Sequence, residues 1–217
     1  MTGRLPSTAS VAEDAGDGKL FAPAAARNAE ALTALLARHA PRRGQALEIA
    51  SGTGQHICAF GKALPGIVWQ PSDLDPARLR SVDAHVREAG LENLRPAVAL
   101  DACAPGWAAR HGPFNLIVLI NLLHLVSAAK ARTLVEEAAA ALHPGGQFIF
   151  YGPFARDGRL TSDGDRRFDA QLRAADPEIG YKDTAEVCDW IAAAGLACAA
   201  PLEMPANNLA FICRKEL

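Results

Sequence analysis

The chain has 217 residues, half of them hydrophobic, and its 22 Lys and Arg residues are balanced by 24 Asp and Glu residues. This length and composition suit one soluble, enzyme-sized domain, and a formal net charge of −2 provides no basic surface for nucleic acid. No apolar run reaches the roughly 20 residues of a membrane-spanning helix, and the first residues lack a secretory signal. We therefore expect a cytoplasmic protein whose main partner is neither nucleic acid nor a membrane, with its oligomeric state left open.

The N-terminal half alternates helices and strands. Residues 1–19 mix small and polar residues without periodicity, which predicts a mobile tail before a single domain of residues 20–217. Leucines at helical spacing and a following proline predict a first helix, Pro23–His39. Residues 46–50 form the first predicted strand, and the turn Ser51-Gly52-Thr53-Gly54 leads from it into a helix that ends near residue 64. The alternation continues with strands at residues 67–70, 95–100, 114–121 and 147–151 and with helices at residues 76–89 and 127–142.

The C-terminal part predicts a lid and a hairpin. Residues 153–183 are polar and irregular apart from one helical piece near residues 166–174, and this length is too great for a plain connection. After a helix at residues 184–194, strands at residues 196–203 and 209–214 are separated by only five residues, which favours an antiparallel hairpin. The whole order predicts an α/β fold with a doubly wound, mostly parallel sheet that binds its ligand at the carboxyl ends of the strands.

The five cysteines are too scattered to predict a disulfide framework or a metal site. None forms a CxxC pair, and no cluster of further ligands lies beside them in the sequence. We expect reduced, mostly buried thiols and no bound metal. The five are Cys58, Cys103, Cys188, Cys198 and Cys213.

The glycine turn after the first predicted strand marks the ligand site, and its surroundings disfavour most nucleotides. In the dinucleotide fingerprint a third glycine follows, but Ile57 stands at that position. A Gly-Lys-Ser/Thr sequence is also missing after the turn, which disfavours ATP and GTP. Glu48 lies inside the strand, four residues before Gly52, and a carboxylate there suits a ligand with a cationic amino-acid group. S-adenosylmethionine is such a ligand.

Two aspartates at the ends of the next two strands fit the rest of that ligand. Asp73 can accept hydrogen bonds from both ribose hydroxyls, as a carboxylate does in nucleotide dehydrogenases. Asp101 can accept from the adenine amine while the backbone N–H of its neighbour Ala102 meets a ring nitrogen. Asp75, which precedes Pro76, is explained more simply as a helix cap.

Longer strings of residues are similar to a known family. The chain resembles class I S-adenosylmethionine-dependent methyltransferases, and more closely the DUF938, or methyltransferase-like protein 26, family. The strings that carry this resemblance are Phe21-Ala22-Pro23, Arg27-Asn28, Glu48 through His56, Trp69 through Asp75, Asn121 with His124, Tyr151-Gly152-Pro153-Phe154, Phe168-Asp169 and Met204 through Leu209. The chain departs from the family in the insertion, where Gly164-Asp165 and Ile179 replace a Ser-Asn pair and a tryptophan.

The resemblance implies a seven-stranded, Rossmann-like methyltransferase sheet whose last strand is antiparallel, with S-adenosylmethionine as cofactor and S-adenosylhomocysteine as product. It also implies that Glu48 and the glycine turn border the methionine part, that Asp73 binds the ribose and that Asp101 binds the adenine. Many members of the class carry glycine where this chain has Ala50. The predicted cofactor-binding residues are Arg27, Asn28, Glu48, Ala50, Ser51, Gly52, Gly54, His56, Asp73, Leu74, Asp101, Ala102 and Asn121. The family has no well-established substrate, so the acceptor stays unidentified.

Methyl transfer is an in-line displacement, so such an enzyme mainly has to align the acceptor and exclude water. The candidate catalytic residues are His124, as a base at the end of the fourth predicted strand, and Tyr151. A histidine bonded into a turn without a chemical duty is the more common case for such a residue. Candidates for substrate binding are Phe21, Phe154, Asn207 and Asn208, and the Asn-Asn pair is also typical of a hairpin turn.

These observations favour an S-adenosylmethionine-dependent methyltransferase that acts on a small-molecule acceptor, because the insertion is short and the chain has no basic track for nucleic acid. Three alternatives remain: a module that binds the cofactor without turnover, a nicotinamide-dependent oxidoreductase, and a methyltransferase that acts on protein or RNA. Release of S-adenosylhomocysteine distinguishes an active enzyme from a binding module.

Overall fold

The computed structural model describes residue 6 and residues 9–216, which form a sheet with helices on both faces. The elements of the first half are β1 (Glu13–Asp14), β2 (Leu20–Phe21), α1 (Pro23–His39), β3 (Gly44–Ile49), α2 (Gln55–Ala63), β4 (Ile67–Asp73), α3 (Pro76–Ala89) and β5 (Val98–Ala99). Those of the second half are α4 (Ala108–His111), β6 (Phe114–Ile120), a short 3-10 helix (Leu123–Leu125), α5 (Ala128–Ala140), β7 (Leu142–Ala155), α6 (Asp163–Ala175), β8 (Lys182–Asp183), α7 (Thr184–Ala193), β9 (Leu196–Cys198), β10 (Leu202–Glu203) and β11 (Asn208–Lys215).

The main sheet has the strand order β10-β11-β7-β6-β3-β4-β5. The five strands from β7 to β5 in this order are parallel, whereas β11 runs antiparallel to both of its neighbours, β7 and β10. The predicted doubly wound α/β fold and its C-terminal antiparallel hairpin are therefore confirmed. Two short strands, β8 beside β7 and β9 beside β11, make the sheet nine-stranded, where the resemblance implied seven.

The two faces of the sheet are buried against different helices, because successive side chains of a strand point to opposite faces. Leu47 of β3 belongs to the core that packs on α5 and α7, whereas its neighbour Ala46 belongs to the core under α1 and α2. By the same alternation Glu48 shares the face of Ala46, and Tyr151 of β7 lies in that second core. Glu48 and Tyr151 thus lie on the α1 side of the sheet.

Two predicted strands are shorter than expected, and a proline accounts for each difference. The strand predicted at residues 95–100 is reduced to β5, and the strand predicted at residues 196–203 is divided into β9 and β10. Pro96 and Pro201 lie in the missing stretches, and proline has no N–H to donate to a sheet ladder. Helices α1 and α3 begin and end at the predicted residues.

The structure corrects the prediction that all five cysteines are reduced. Cys198 of β9 and Cys213 of β11 lie directly opposite each other in the antiparallel register, with their Cα atoms 4.1 Å apart, and form a disulfide. The other three cysteines are free. Spacing in the sequence did not reveal the pair, because 15 positions separate the two residues and only the strand register brings them together.

The N-terminal segment and the predicted lid both contain regular structure. Residues 1–5 and 7–8 of the predicted mobile tail lie outside the described residues, and β1 pairs with β2 where the tail meets the domain. The predicted lid carries α6, which begins with a capping box between Ser162 and Asp165. The mobility of the tail and the division into one domain with a lid stay predictions. No helix in the described part of the chain is long and apolar enough to cross a membrane.

Candidate functional site

The candidate site lies where the chain leaves the adjacent strands β3 and β6 toward opposite faces of the sheet. The residue after each strand, Ala50 and Asn121, has a left-handed backbone with φ of 54° and 55°. This conformation is unfavourable for a residue with a side chain, and it turns the backbone away from the sheet at two neighbouring strand ends. A crevice at this switch in strand order is the usual ligand site of an open α/β sheet.

The glycine turn between β3 and α2 needs both of its glycines for structural reasons. Gly52 has φ of 61°, and a Cβ atom there would lie 3.2 Å from the Nη1 atom of Arg78. Gly54 has φ of 96°, and its Cβ would lie only 2.8 Å from the Cα atom of Val82 in α3. The close approach of α3 therefore requires Gly54 whether or not a ligand is bound.

Asp73 is held in a fixed orientation at the end of β4. Its Oδ2 atom accepts a hydrogen bond from the backbone N–H of Gly52 at 2.9 Å, and its Oδ1 atom accepts one from the N–H of Asp75 at 3.0 Å. The side chain is buried, and each oxygen keeps a second lone pair for a ligand hydroxyl. Asp75 caps α3 as predicted, and the apolar side chain of Leu74 beside it is 61% exposed.

Glu48 is a buried carboxyl with an unused hydrogen-bonding atom. The residue is 2% exposed, and its Oε2 atom has no hydrogen-bond partner among the described residues. Burial raises its pKa to about 8, a hydrogen bond with Ser51 opposes that rise, and the charge of Asp73 adds to it. An unpaired carboxyl in such a place is costly unless a cationic ligand group compensates it. The environment of Glu48 therefore fits an ammonium group.

Asp101 and Ala102 follow the short strand β5, next to the end of β4. The Oδ1 atom of Asp101 accepts from the backbone N–H of Cys103 at 3.0 Å, and the residue is otherwise exposed. Ala102 is buried, and its carbonyl accepts from the indole N–H of Trp107 at 3.0 Å. Because the N–H of Leu100 donates to the carbonyl of Asp73, this loop stays beside the carboxylate predicted to bind the ribose.

A hydrogen-bonded group of three side chains lies between α1 and the sheet, and the sequence did not predict it. The Nε2 atom of His56 lies 2.7 Å from the Oδ1 atom of Asn28, and the Asn28 amide also bonds the hydroxyl of Tyr151. The His56 ring makes a further hydrogen bond to the backbone of Ala25 and stacks on Phe60, with the ring centres 5.7 Å apart. Asn28 of α1, His56 of α2 and Tyr151 of β7 thus form one hydrogen-bonded chain, which we call the relay.

Burial keeps this relay uncharged. It lowers the pKa of His56 to about 4, although the bond to the Ala25 backbone opposes that change. Burial also raises the pKa of Tyr151 above its ordinary value of 10, although the hydrogen bond from Asn28 acts to lower it. One sequence signal could have placed Asn28 in the site, since it precedes the buried Leu32 by four residues and so shares the inward face of α1.

His124 is packed into an apolar and aromatic cluster. The residue is 5% exposed, and its ring meets those of Phe168 and Tyr181 edge-on at centroid distances of 5.8 Å and 6.1 Å. Burial, helped by the charge of Lys182, lowers its pKa to about 3. An imidazole with so low a pKa is a weak proton acceptor at neutral pH. The role of His124 as a base stays a prediction, and its surroundings are those of a packed turn residue.

The residues predicted to bind the acceptor have mixed surroundings. Phe154 is 2% exposed and packs on Phe211 at 5.0 Å, so it presents little surface to a ligand. The amide of Asn207 donates to Asp165 of α6 at 3.1 Å, and that of Asn208 donates to carbonyls within its own turn. Phe21, like Arg27 on α1, is exposed. Their roles in binding stay predictions.

The described residues contain no cluster of three or more His, Cys, Asp or Glu side chains arranged to hold a metal ion. The polar groups gathered at the strand ends are instead carboxylates, amides and hydroxyls. They suit an organic ligand with an ammonium group and several hydroxyls.

Comparison with known proteins places the chain in a family. Residues 19–215 match the family model described as "Protein of unknown function (DUF938)". The chain belongs to this family. Over 112 residues the DUF938 chain is 36% identical to the ribosomal protein L11 methyltransferase of Rhizobium rhizogenes, an alignment that covers 48% of the chain and 34% of that protein. The resemblance inferred from the sequence is confirmed at the level of the family.

Solved structures share the fold of the DUF938 chain. An O-methyltransferase family protein from Burkholderia thailandensis superposes with a TM-score of 0.76 at 18% identity, covering 89% of this chain and 57% of that one. Human N-acetylserotonin methyltransferase in complex with SAM gives 0.73 at 15% identity, covering 89% and 53%. The chain thus spans about a third of the curated relative and little more than half of these structures. Its fold is that of the class I methyltransferases.

Proposed function

We propose that this DUF938 protein is an S-adenosylmethionine-dependent methyltransferase that acts on a small-molecule acceptor. The observation that carries the proposal is the buried Glu48 carboxyl beside the glycine turn, whose Oε2 atom lacks a partner among the residues that the structure describes. S-adenosylmethionine offers an ammonium group for Glu48, ribose hydroxyls for Asp73 and a methyl group for transfer. The fold shared with methyltransferases supports the same assignment.

Each residue of the cofactor site would bind a different part of S-adenosylmethionine. Glu48 would bind the ammonium group, and Asp73, held by the Gly52 N–H, would bind the ribose. Asp101 and the backbone of Ala102 would bind the adenine. A nicotinamide cofactor is disfavoured because Ile57, which stands in place of the third fingerprint glycine, is fully buried in the core under α1.

The residues near the acceptor would act mainly by aligning the acceptor atom with the methyl group of the cofactor. The neutral Tyr151 hydroxyl, held by Asn28, would form a hydrogen bond with the acceptor. His56 and His124 both have lowered pKa values, so neither supplies a strong base at neutral pH. The proposal therefore favours an acceptor atom that is already nucleophilic in solution, such as an amine nitrogen, a thiolate or a phenolate.

Calorimetric titration with S-adenosylmethionine, S-adenosylhomocysteine and NADH tests the proposal. We expect saturable binding of the first two ligands, no binding of NADH, and at least tenfold weaker binding by Asp73→Ala. Asp189→Ala on α7, which removes an exposed carboxylate away from the strand ends, serves as the matched control and should bind as wild type does. Binding of NADH alone would favour the oxidoreductase. Binding without release of S-adenosylhomocysteine in an acceptor screen would favour a module without turnover.

A further inference from the structure

Residues 9–22 include a stretch that lies against α3 and the start of α2, next to the glycine turn. The N–H of Leu20 donates to Ser81 at 2.7 Å, the carbonyl of Leu20 lies 3.0 Å from the Nε2 atom of His85, and Lys19 pairs with Glu88. These three partners lie on α3. The segment is thus attached to the helix that follows the predicted ribose-binding strand.

Two side chains connect this segment to the glycine turn itself. Ser81, which accepts from the N–H of Leu20, donates its own hydroxyl proton to the carbonyl of Thr53 at 2.7 Å. The Oε1 atom of Gln55 accepts from the N–H of Ala22 at 2.6 Å and from the hydroxyl of Thr53 at 2.8 Å. The turn at Thr53 is therefore linked to the segment at two positions, Leu20 and Ala22.

The far end of the segment reaches across the crevice. The Nη2 atom of Arg78 donates to the hydroxyl of Ser10 at 2.5 Å and to its carbonyl at 3.3 Å. The other terminal nitrogen of Arg78 lies 3.2 Å from the place of a Cβ atom on Gly52, whose N–H holds Asp73. The guanidinium of Arg78 therefore lies between Ser10 and the Gly52 backbone that holds Asp73.

The residue before Ser10 contacts the opposite wall. Ala9 packs against the apolar cluster of Leu172 and Tyr181, which also includes Leu125 and Phe168. This cluster contains the ring neighbours of His124, on the acceptor side of the crevice. Residues 9 and 10 thus bridge the glycine turn and the predicted lid.

We propose that residues 9–22 form the outer wall of the cofactor site and that Arg78, by holding Ser10, keeps this wall closed. The inference rests on the proposed function, because it assumes that the crevice takes S-adenosylmethionine. The wall is attached by the six polar contacts described above, three of them exposed, so it opens far more easily than the sheet unfolds. Cofactor and product then enter and leave through this opening, which makes Arg78 and Ser10 positioning residues for the bound cofactor.

Hydrogen exchange and ligand dissociation test the proposal on the full chain. The amide exchange of residues 9–22 is followed by mass spectrometry with and without S-adenosylhomocysteine. The dissociation rate of isotope-labelled S-adenosylhomocysteine is measured after addition of excess unlabelled ligand. We compare wild type with Arg78→Met, which removes both bonds to Ser10 but keeps an unbranched, flexible side chain. Arg80→Met, an exposed arginine of the same helix, is the matched control.

We expect bound S-adenosylhomocysteine to slow exchange in residues 9–22 of wild type. Arg78→Met should release the ligand about fivefold faster, the combined effect of the two lost surface hydrogen bonds to Ser10. Arg80→Met should release it at the wild-type rate. Equal rates for Arg78→Met and wild type, or exchange unaffected by the ligand, would overturn the proposal. If Arg78→Met does not fold, Ser10→Ala decides between the same outcomes with an expected increase of about twofold. A wild-type protein that binds no S-adenosylhomocysteine would instead refute the proposed function.

Discussion

Replacing Glu48 by glutamine should remove a pH dependence of stability that the buried carboxyl creates. The pKa of Glu48 is about 8 in the folded protein, against an ordinary value of 4.5. The folded state holds this proton more tightly than the unfolded state does. The bound proton therefore contributes its full stabilisation to the free energy of unfolding below pH 4.5, and this stabilisation is lost as the pH rises toward 8. At about 1.4 kcal/mol for each pH unit, Glu48 lowers the free energy of unfolding by about 3 kcal/mol between pH 4.5 and pH 7.

The pH dependence of the free energy of unfolding of the wild type does not isolate the effect of Glu48 by itself, because two buried histidines change the stability in the opposite direction. The pKa values of His56 and His124 are lowered to about 4 and about 3, so their contributions are present above pH 6.5 and are lost on acidification. The difference between Glu48→Gln and wild type cancels both. Urea unfolding at several pH values between 5 and 8 should show this difference shifting by about 3 kcal/mol in favour of the variant as the pH rises.

A second carboxyl provides the control for this experiment. Glu92 is exposed between α3 and β5, so Glu92→Gln should leave the pH dependence of the free energy of unfolding as it is in wild type. Curves of Glu48→Gln and wild type that stay parallel from pH 5 to pH 8 would refute the reasoning. Such a result would mean that Glu48 is solvated or already paired in the folded protein.

Three further predictions follow from the site. Because Glu48 is mostly protonated at pH 7 and would ionise beside a ligand ammonium group, binding of S-adenosylhomocysteine should release about one proton in wild type and none in Glu48→Gln. Calorimetry in buffers of different ionisation enthalpy measures this release, and its absence in wild type would contradict the assigned contact. Asn28→Leu should shift the NMR signals of both the His56 ring and the Tyr151 ring, whereas Arg27→Leu on the exposed side of α1 should shift neither. In urea unfolding, Gly54→Ala should lower the free energy of unfolding by about 2 kcal/mol more than Gly90→Ala does. Both glycines have a left-handed backbone, but only a side chain at position 54 would clash with Val82. Equal losses for the two variants would show that α3 can shift to make room for the new methyl group.

The parts of the fold that the sequence predicted are those with local signals. The proline after Asp75 and the leucine pattern of α1 fixed two helices to the residue, and the order of Glu48, Gly52 and Asp73 along alternating elements indicated the site. Contacts between distant elements have no such signal. The disulfide depends on the register of β9 against β11.

The relay is the clearest case of a feature beyond the reach of sequence reasoning. Asn28 and His56 were assigned to the cofactor and Tyr151 to catalysis, because each residue was judged by its own segment. The structure brings the three together only because β7 and α2 lie beneath the same end of α1. Whether any of them touches a ligand stays a prediction.

The uncharged state of the acceptor side leads to a prediction about turnover. His56 and His124 stay neutral down to about pH 4, and the raised pKa of Tyr151 keeps its hydroxyl protonated through the neutral range. None of these three groups therefore changes its charge between about pH 6 and pH 8, so none of them takes up the proton that the acceptor loses. Once an acceptor is found, the pH profile of kcat/KM in that range should follow the pKa of the acceptor itself. Two acceptors with different pKa values should then give two displaced profiles. A single profile common to both would show that a protein group is the base.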